Sequence, residues 1–391
     1  MKRAPYYDNI SEVKTISPKT EDSCFFGYYD LKAYDDSDCY HLCNIAKFED
    51  RLNTKDDALT LGVIDLQNGN FEKIDETYSW NFQQGAMLQW HRQKRDTVFY
   101  NVFRGGEYMT VEKNIKTGKE SYSPVCANIS RDGRYGLRIN FTRIYDFRAG
   151  YGYCNTRDEQ SNIPQPEDDG VWLVDMETGK EKFLYSYAEL AERSGFAKDD
   201  KLVVNHITFN PSGDRFIFLL RSFPKNAWDW GTSLIVSDLQ GNFRALMKKS
   251  MYSHYDWRDD KVLLGYCRGD GEHYDMFTVD TDTGVWERLP NNVYENRDIH
   301  CLYYRDRSFF IGDDYPDKDG YRRIHHYDLK TNESKIILST YSPQDVGAID
   351  IRTDPHNRYN TKGDKISFDA IHNGKREICE MSIAPLLSNT K

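Results

Sequence analysis

Apolar and polar residues alternate along most of this chain in short runs, the period of half-buried strands, and two recurring turn patterns punctuate the runs. In the first, a hydrophobic strand closes on Asp, passes through a tight turn and continues as a charged strand. It recurs as LGVIDLQNGNFEKI, TVEKNIKTGKESY, VWLVDMETGKEKFL, LIVSDLQGNFRAL, MFTVDTDTGVWERL and HHYDLKTNESKIIL. The Asn-Gly and Thr-Gly pairs supply the positive φ that such hairpins need. In the second, a histidine precedes a short strand, a polar turn and a hydrophobic strand. NHITFNPSGDRFIFLL, SHYDWRDDKVLLGY, IHCLYYRDRSFFIGD and PHNRYNTKGDKISFDA carry His206, His254, His300 and His356 in this way, spaced by roughly fifty residues.

A strand-turn module repeated at that interval predicts an all-β fold, a seven-bladed β-propeller in a single domain over 1–391. Six modules are complete. The seventh, running through KISFDA and REICEMSI, stops one strand short, and SEVKTIS near the N-terminus is a strand with no partner upstream. Pairing a strand at about residues 10–18 with the last module closes the ring and removes two exposed edges. The blades then fall roughly at 22–74, 75–121, 122–185, 200–248, 250–290, 295–340 and 345–386. Blade 1 is irregular, which leaves six or eight blades open. Helical signal is confined to SYAELAERSGF, residues 186–196.

Strands within a blade are labelled A to D from the axis outward. The A–B and C–D turns are short, whereas the B–C connections include YDFRAGYGYCNTRDEQSNIPQPEDDG at 145–170, FPKNAWDWGT at 223–232, RGDGEHY at 268–274 and DDYPDKDGYRR at 313–323. Long loops on a rigid scaffold are where function concentrates. The four histidines begin their A strands, so they share the face of these loops and line the central channel. A cluster of imidazoles is a candidate metal or acid–base site. Gln83 and Gln84 enter blade 2 at the same level and are candidate polar contacts.

Arg104, Arg143, Arg148, Arg221, Arg268, Arg322 and Arg323 lie in or beside the B–C loops, and an arginine fork suits carboxylates and sulfates. Trp228, Trp230, Tyr151 and Tyr153 are placed to stack on sugar rings. The net charge of −10 excludes generic nucleic-acid binding and makes a basic mouth the more telling. An anionic glycan is the ligand class these residues suggest.

The eight cysteines show no disulfide or metal spacing beyond CYHLC, where Cys39 and Cys43 flank His41. The N-terminus has no apolar leader region and no stretch approaches membrane-spanning length, so a cytoplasmic location without membrane insertion is expected. The sequence does not fix the oligomeric state.

SHYDW and PHNRYNTKGDKISFDAIHNGKREICEM resemble blades of the oligogalacturonate lyases, seven-bladed propellers that cleave acidic oligosaccharides by β-elimination with a manganese-type metal. His254 matches the family histidine that precedes an acidic-aromatic pair. His356 matches the second histidine of a His-Pro-His element, Asp354 replaces the first, and only Gln344 lies near the family's glutamine ligand. FQQGAMLQW at 82–90 and RAGYGY at 148–153 resemble a broader group of bacterial propellers. The ulvan lyases, which use His, Tyr and Arg in place of a metal, are a further similar set.

The resemblance implies a divalent metal, such as Mn2+, held by His254, His356, His300 and Asp354, with His206 as the base. Arg148 and Arg221 would grip the sugar carboxylate, and Tyr151 or Tyr153 would protonate the leaving oxygen. Gln83, Gln84, Arg104, Arg143, Trp230 and Arg268 complete the expected substrate contacts. Two other functions stand beside this one: a non-catalytic propeller that binds an anionic glycan or a protein partner, and a protein of surface-polysaccharide assembly. The last has no nucleotide-binding loop to support it.

Overall fold

The computed structural model describes residues 5–225, 231–342, 349–372 and 374–387. The strands form seven antiparallel sheets in chain order, so the blade number is seven. The innermost strands are Ser23–Phe25, Gln89–Trp90, Asn128–Ile129, Leu202–Phe209, Tyr252–Trp257, Ile299–Tyr303 and Arg358–Tyr359. The outermost strands of blades 1 and 2 run on to Thr77 and Pro124, three residues past the boundaries expected at 74 and 121.

The C–D hairpins repeat because one side chain repeats. Asp65, Asn114, Asp175, Asp238, Asp280 and Asp328 each end a C strand, and each carboxylate or amide oxygen accepts a backbone N–H two or three residues on, at 2.8–3.0 Å. That local bond stabilises the turn before any ladder forms.

The ring closes on Val13–Thr15, which pairs with the last strand, Lys375–Ser382, in the register Val13↔Met381, Lys14↔Glu380, Thr15↔Cys379. A further segment, Tyr6–Tyr7, adds a fifth strand to the edge of blade 6 beside Glu333–Tyr341. Alternate strand residues bury themselves between neighbouring blades, so the core is a series of layers around the ring. Cys43 lies wholly inside one of them, and His41 is spent on Ser367 and the Leu42 carbonyl. Among the described residues, no helix is long and apolar enough to cross a membrane.

Two features depart from the regular blade. The expected helix at 186–196 is Tyr187–Ser194, capped by Ser186 Oγ and closed by Gly195 at φ 79°. The long B–C connection of blade 3 is not a plain loop, for it contains a helix, Phe141–Phe147, and a single 3-10 turn, Ala149–Tyr151. Asn140 starts the helix by accepting the Thr142 and Arg143 N–H groups. Gly152 lets the chain fold back, since a Cβ there would stand 2.1 Å from the Tyr145 nitrogen.

The closure strand provides a direct test. Ile16 N–H donates to the Ile378 carbonyl at 2.9 Å, so Lys14, two residues earlier, also points its N–H at the partner strand, and Thr15 points outward. Lys14→Pro is expected to lower the unfolding free energy by about 1–3 kcal/mol, and Thr15→Pro by distinctly less. Equal losses in denaturant titrations would contradict the closure register.

Candidate active site at the channel mouth

All four repeat histidines reach one end of the channel. Strand A of blade 4 breaks register between Asn205 and Thr208, which turns His206 inward at φ 47°. A similar break between Tyr252 and Tyr255 carries His254, and His356 is held at φ 44° just before its strand. Left-handed backbone costs energy for any residue but glycine, and such strain clusters at functional positions. The ring centroids form an arc: His206 to His254 6.3 Å, His254 to His300 3.8 Å, His300 to His356 4.5 Å. Blade 1 completes it with Tyr28, stacked on His206 at 5.3 Å, and Tyr29, 5.6 Å from His300.

Each imidazole is oriented through Nδ1. That atom lies 2.9 Å from Asp298 in His254, 2.8 Å from Asp313 in His300, and 3.1 Å from the Gly27 carbonyl in His356. An acceptor at Nδ1 places the ring proton there and leaves the Nε2 lone pair available, the arrangement that metal-bound histidines share. The Nε2 atoms of His300 and His356 are buried and lack any hydrogen-bond partner. With an oxygen of Asp354, donor atoms of these two residues lie within 4.8 Å of one another. Orphaned, convergent lone pairs fit a divalent cation, with His254 beside them.

Asp354 is less free than the histidines. Its Oδ1 accepts from Arg352 Nε at 3.0 Å and stands 2.7 Å from Arg322 Nη1, while Oδ2, 2.8 Å from Arg352 Nε, has no hydrogen-bond partner, all in buried surroundings. Burial alone would raise its pKa, but Arg352 and Arg322 outweigh that and hold it well below the usual carboxylate range. Burial pushes His356 well below its ordinary value, and takes His254 down to about 4. In His300 burial also acts downward, but Asp313 overcomes it and the net shift is upward.

His206 stands apart from the cation cluster. Its Nδ1 is 3.1 Å from Tyr28 Oη, and Tyr151 packs edge-on at 5.4 Å. Burial, then the charge of Arg221, drives its pKa well below the usual value, which favours the neutral ring. Arg221 donates Nη2 to the Tyr252 carbonyl and leaves Nε buried without a partner. Arg148 reaches Asp350 at 3.4 Å and leaves Nη2 unpartnered. Burial and then Arg148 push Arg221 down to about 10. Buried guanidinium N–H groups without acceptors are costly unless a ligand supplies the oxygen. A channel cavity of about 470 Å³ reaches this point, lined by His206, His254, Tyr28, Tyr151 and Gln84.

The remaining expected contacts lie elsewhere. Tyr153 is buried, stacked on Phe141 at 4.2 Å, with its oxygen accepting from Asn101. Arg143 is an internal strut that bonds Asp158 and the carbonyls of Leu202, Ile163 and Pro164. Arg104 pairs with Asp75 on the outside of blade 2, and Arg268 donates to the Gly271 carbonyl within its own loop. Gln83 ties the Arg352 carbonyl at 2.9 Å rather than facing the lumen. Trp228, Trp230 and Gln344 fall outside the described residues.

Sequence reading missed Tyr28, Tyr29, Asp298, Asp313 and Arg352. Three of these left a signal. Asp313 is the cross-strand partner of His300, and the GYYD segment at 27–30 occupies the blade 1 position where other blades carry histidine.

No protein-family model matches the chain, and no curated protein matches it. Solved structures do. An oligogalacturonate lyase in complex with manganese superposes with TM-score 0.67 at 15% identity, over 96% of this chain and 95% of that one. An oligogalacturonate lyase from Vibrio parahaemolyticus gives TM-score 0.67 at 16% identity, over 95% and 94%. A puromycin-hydrolyzing peptidase from Mycobacterium tuberculosis matches at TM-score 0.52 and 11% identity, over 90% of this chain and 52% of that one. The protein therefore has the oligogalacturonate-lyase-like seven-bladed propeller fold, which it shares with propellers of other function.

Asp354→Asn leaves Arg352 and Arg322 buried beside a neutral amide. Breaking a buried ion pair in this way is expected to cost about 3–5 kcal/mol of stability. A loss below about 1 kcal/mol in chemical denaturation would mean that the arginines find other partners and that Asp354 is free to ligate.

Proposed function

We propose that the protein is a carbon–oxygen lyase that cleaves an acidic, uronate-containing oligosaccharide or polysaccharide by β-elimination at this channel mouth. One observation carries the reading: His206, whose pKa burial and Arg221 depress, stands beside two arginines, Arg148 and Arg221, each with one buried nitrogen that has no acceptor. That combination suits removal of a proton next to a carboxylate, where the barrier is the negative charge left behind.

Arg148 and Arg221 take the uronate carboxylate and neutralise it. With Nδ1–H directed at Tyr28 Oη, His206 Nε2 accepts the proton from the carbon that bears the carboxylate. The electron pair forms the new double bond, and the carbon–oxygen bond to the neighbouring sugar breaks. Tyr151, whose oxygen accepts from Arg352 at 3.1 Å, keeps its own proton for the leaving oxygen. His254, His300, His356 and a shared Asp354 would hold a divalent cation such as Mn2+. Bound there, it supplies Lewis-acid charge stabilisation. His206 is a weak base because burial depresses it, so the arginines must lower the acidity barrier of the substrate.

The two arginines on Asp354 favour a second reading, a non-catalytic propeller that binds an anionic glycan. Lyase assays on uronate-containing oligosaccharides, followed by ultraviolet absorbance of the unsaturated product, separate the two. His206→Ala should lose about 10²–10⁴-fold in kcat, and Tyr28→Phe should lose kcat with little change in KM. Undiminished turnover in His206→Ala would remove the base assignment. A folded wild type without turnover on any uronate polymer would leave the binding reading.

A further inference from the structure

The cavity does not end at the histidines. It continues along the channel to the face of the A–B turns, where its lining includes Arg92, Arg131, Asp256, Asn360 and Thr361. These residues lie just beyond or at the ends of A strands whose starts face the loop-rich mouth. Arg92 follows Gln89–Trp90, Arg131 follows Asn128–Ile129, and Asp256 is near the end of Tyr252–Trp257. Asp256 lies two residues of strand past His254, about 7 Å at 3.3 Å per residue, and Arg92 and Arg131 lie beyond the ends of their own strands.

Neither arginine there is used by the fold. Among the described residues Arg131 makes no side-chain hydrogen bond or ion pair, and Arg92 makes only a long bond, 3.4 Å, to the Asp30 backbone carbonyl. Arg104, Arg143 and Arg322, by contrast, are each tied to a carboxylate. Two like charges left facing one lumen with low-dielectric walls focus a positive potential within it. Enclosure by the channel walls, followed by the charge of Arg131, takes Arg92 down to about 10 although its side chain stays open to solvent. Asp30 and Asp256 share the space. Burial raises them to about 6 and about 7, while Arg92 acts against the shift in Asp30 and Arg131 against that in Asp256.

We propose that Arg92 and Arg131 form a second oxyanion site at the far end of the channel, separate from the Arg148–Arg221 pair. Its ligand is a small oxyanion, either a free inorganic one or a carboxylate at the buried end of a bound glycan. Guanidinium forks match both. The site stands on its own and does not require the lyase reading, because nothing in it involves His206 or the cation cluster.

Isothermal titration with inorganic phosphate, on intact protein without added metal, tests it. Wild type is expected to bind phosphate saturably. Arg92→Gln and Arg131→Gln should each weaken binding by about tenfold or more, and Arg92→Lys should restore part of it. Neither arginine supports a side-chain ion pair, so the variants should keep the wild-type circular dichroism. A uronate disaccharide that displaces phosphate identifies the site as the holder of a glycan carboxylate. Phosphate retained alongside the disaccharide identifies a separate ion site, and either result supports the proposal. Absence of saturable phosphate binding in wild type, or binding untouched by both glutamine variants, overturns it.

Discussion

Closure of the ring by Val13–Thr15 against Lys375–Ser382 is the constraint on which the rest depends. Without it the first and last blades would each carry an open edge, and the A strands would not be forced round a common axis. Because they are, residues far apart in sequence meet. Tyr28 touches His206, Gly27 accepts from His356, and Tyr151 accepts from Arg352. The channel mouth is assembled from at least six of the seven blades.

Electrostatics then divides the mouth in two. One side, around His300, His356 and Asp354, is a buried network in which Asp313 orients His300, the Gly27 carbonyl orients His356, and arginines hold the carboxylate of Asp354. The other side, around His206, has cationic N–H groups in excess of acceptors. A fold that buries charge in this way gains little stability from it, since the desolvation cost offsets the pairing. Its retention makes sense as preparation for an anionic ligand. The two left-handed histidines point the same way, as strain located at the positions where the rings must turn inward.

Much of the architecture was legible in the chain. The hairpin repeat worked because an Asp or Asn at the end of each C strand makes the same local bond every time. The histidine repeat worked because equivalent positions in a closed ring are neighbours. The arginines were harder to assign. Loop position could not separate Arg148 and Arg221, which each keep a buried N–H without a partner, from Arg143, which is consumed by Asp158 and by carbonyls of its own loop and of Leu202. Tyr153 failed as a lumen residue for a related reason, since the 3-10 turn ends at Tyr151 and the next residues fold back onto Phe141. Blade 1 hid Tyr28 and Tyr29 because its irregular start carries no histidine to mark the register.

The claim that these parts share is that His300 and His356 present buried, unpaired Nε2 atoms to a cation. Elemental mass spectrometry of protein equilibrated with Mn2+ and freed of unbound metal tests it most directly. The account predicts near-stoichiometric manganese in the wild type and its loss in His356→Ala, with both proteins folded. Manganese absent from the wild type after loading, or retained in full by His356→Ala, would contradict it.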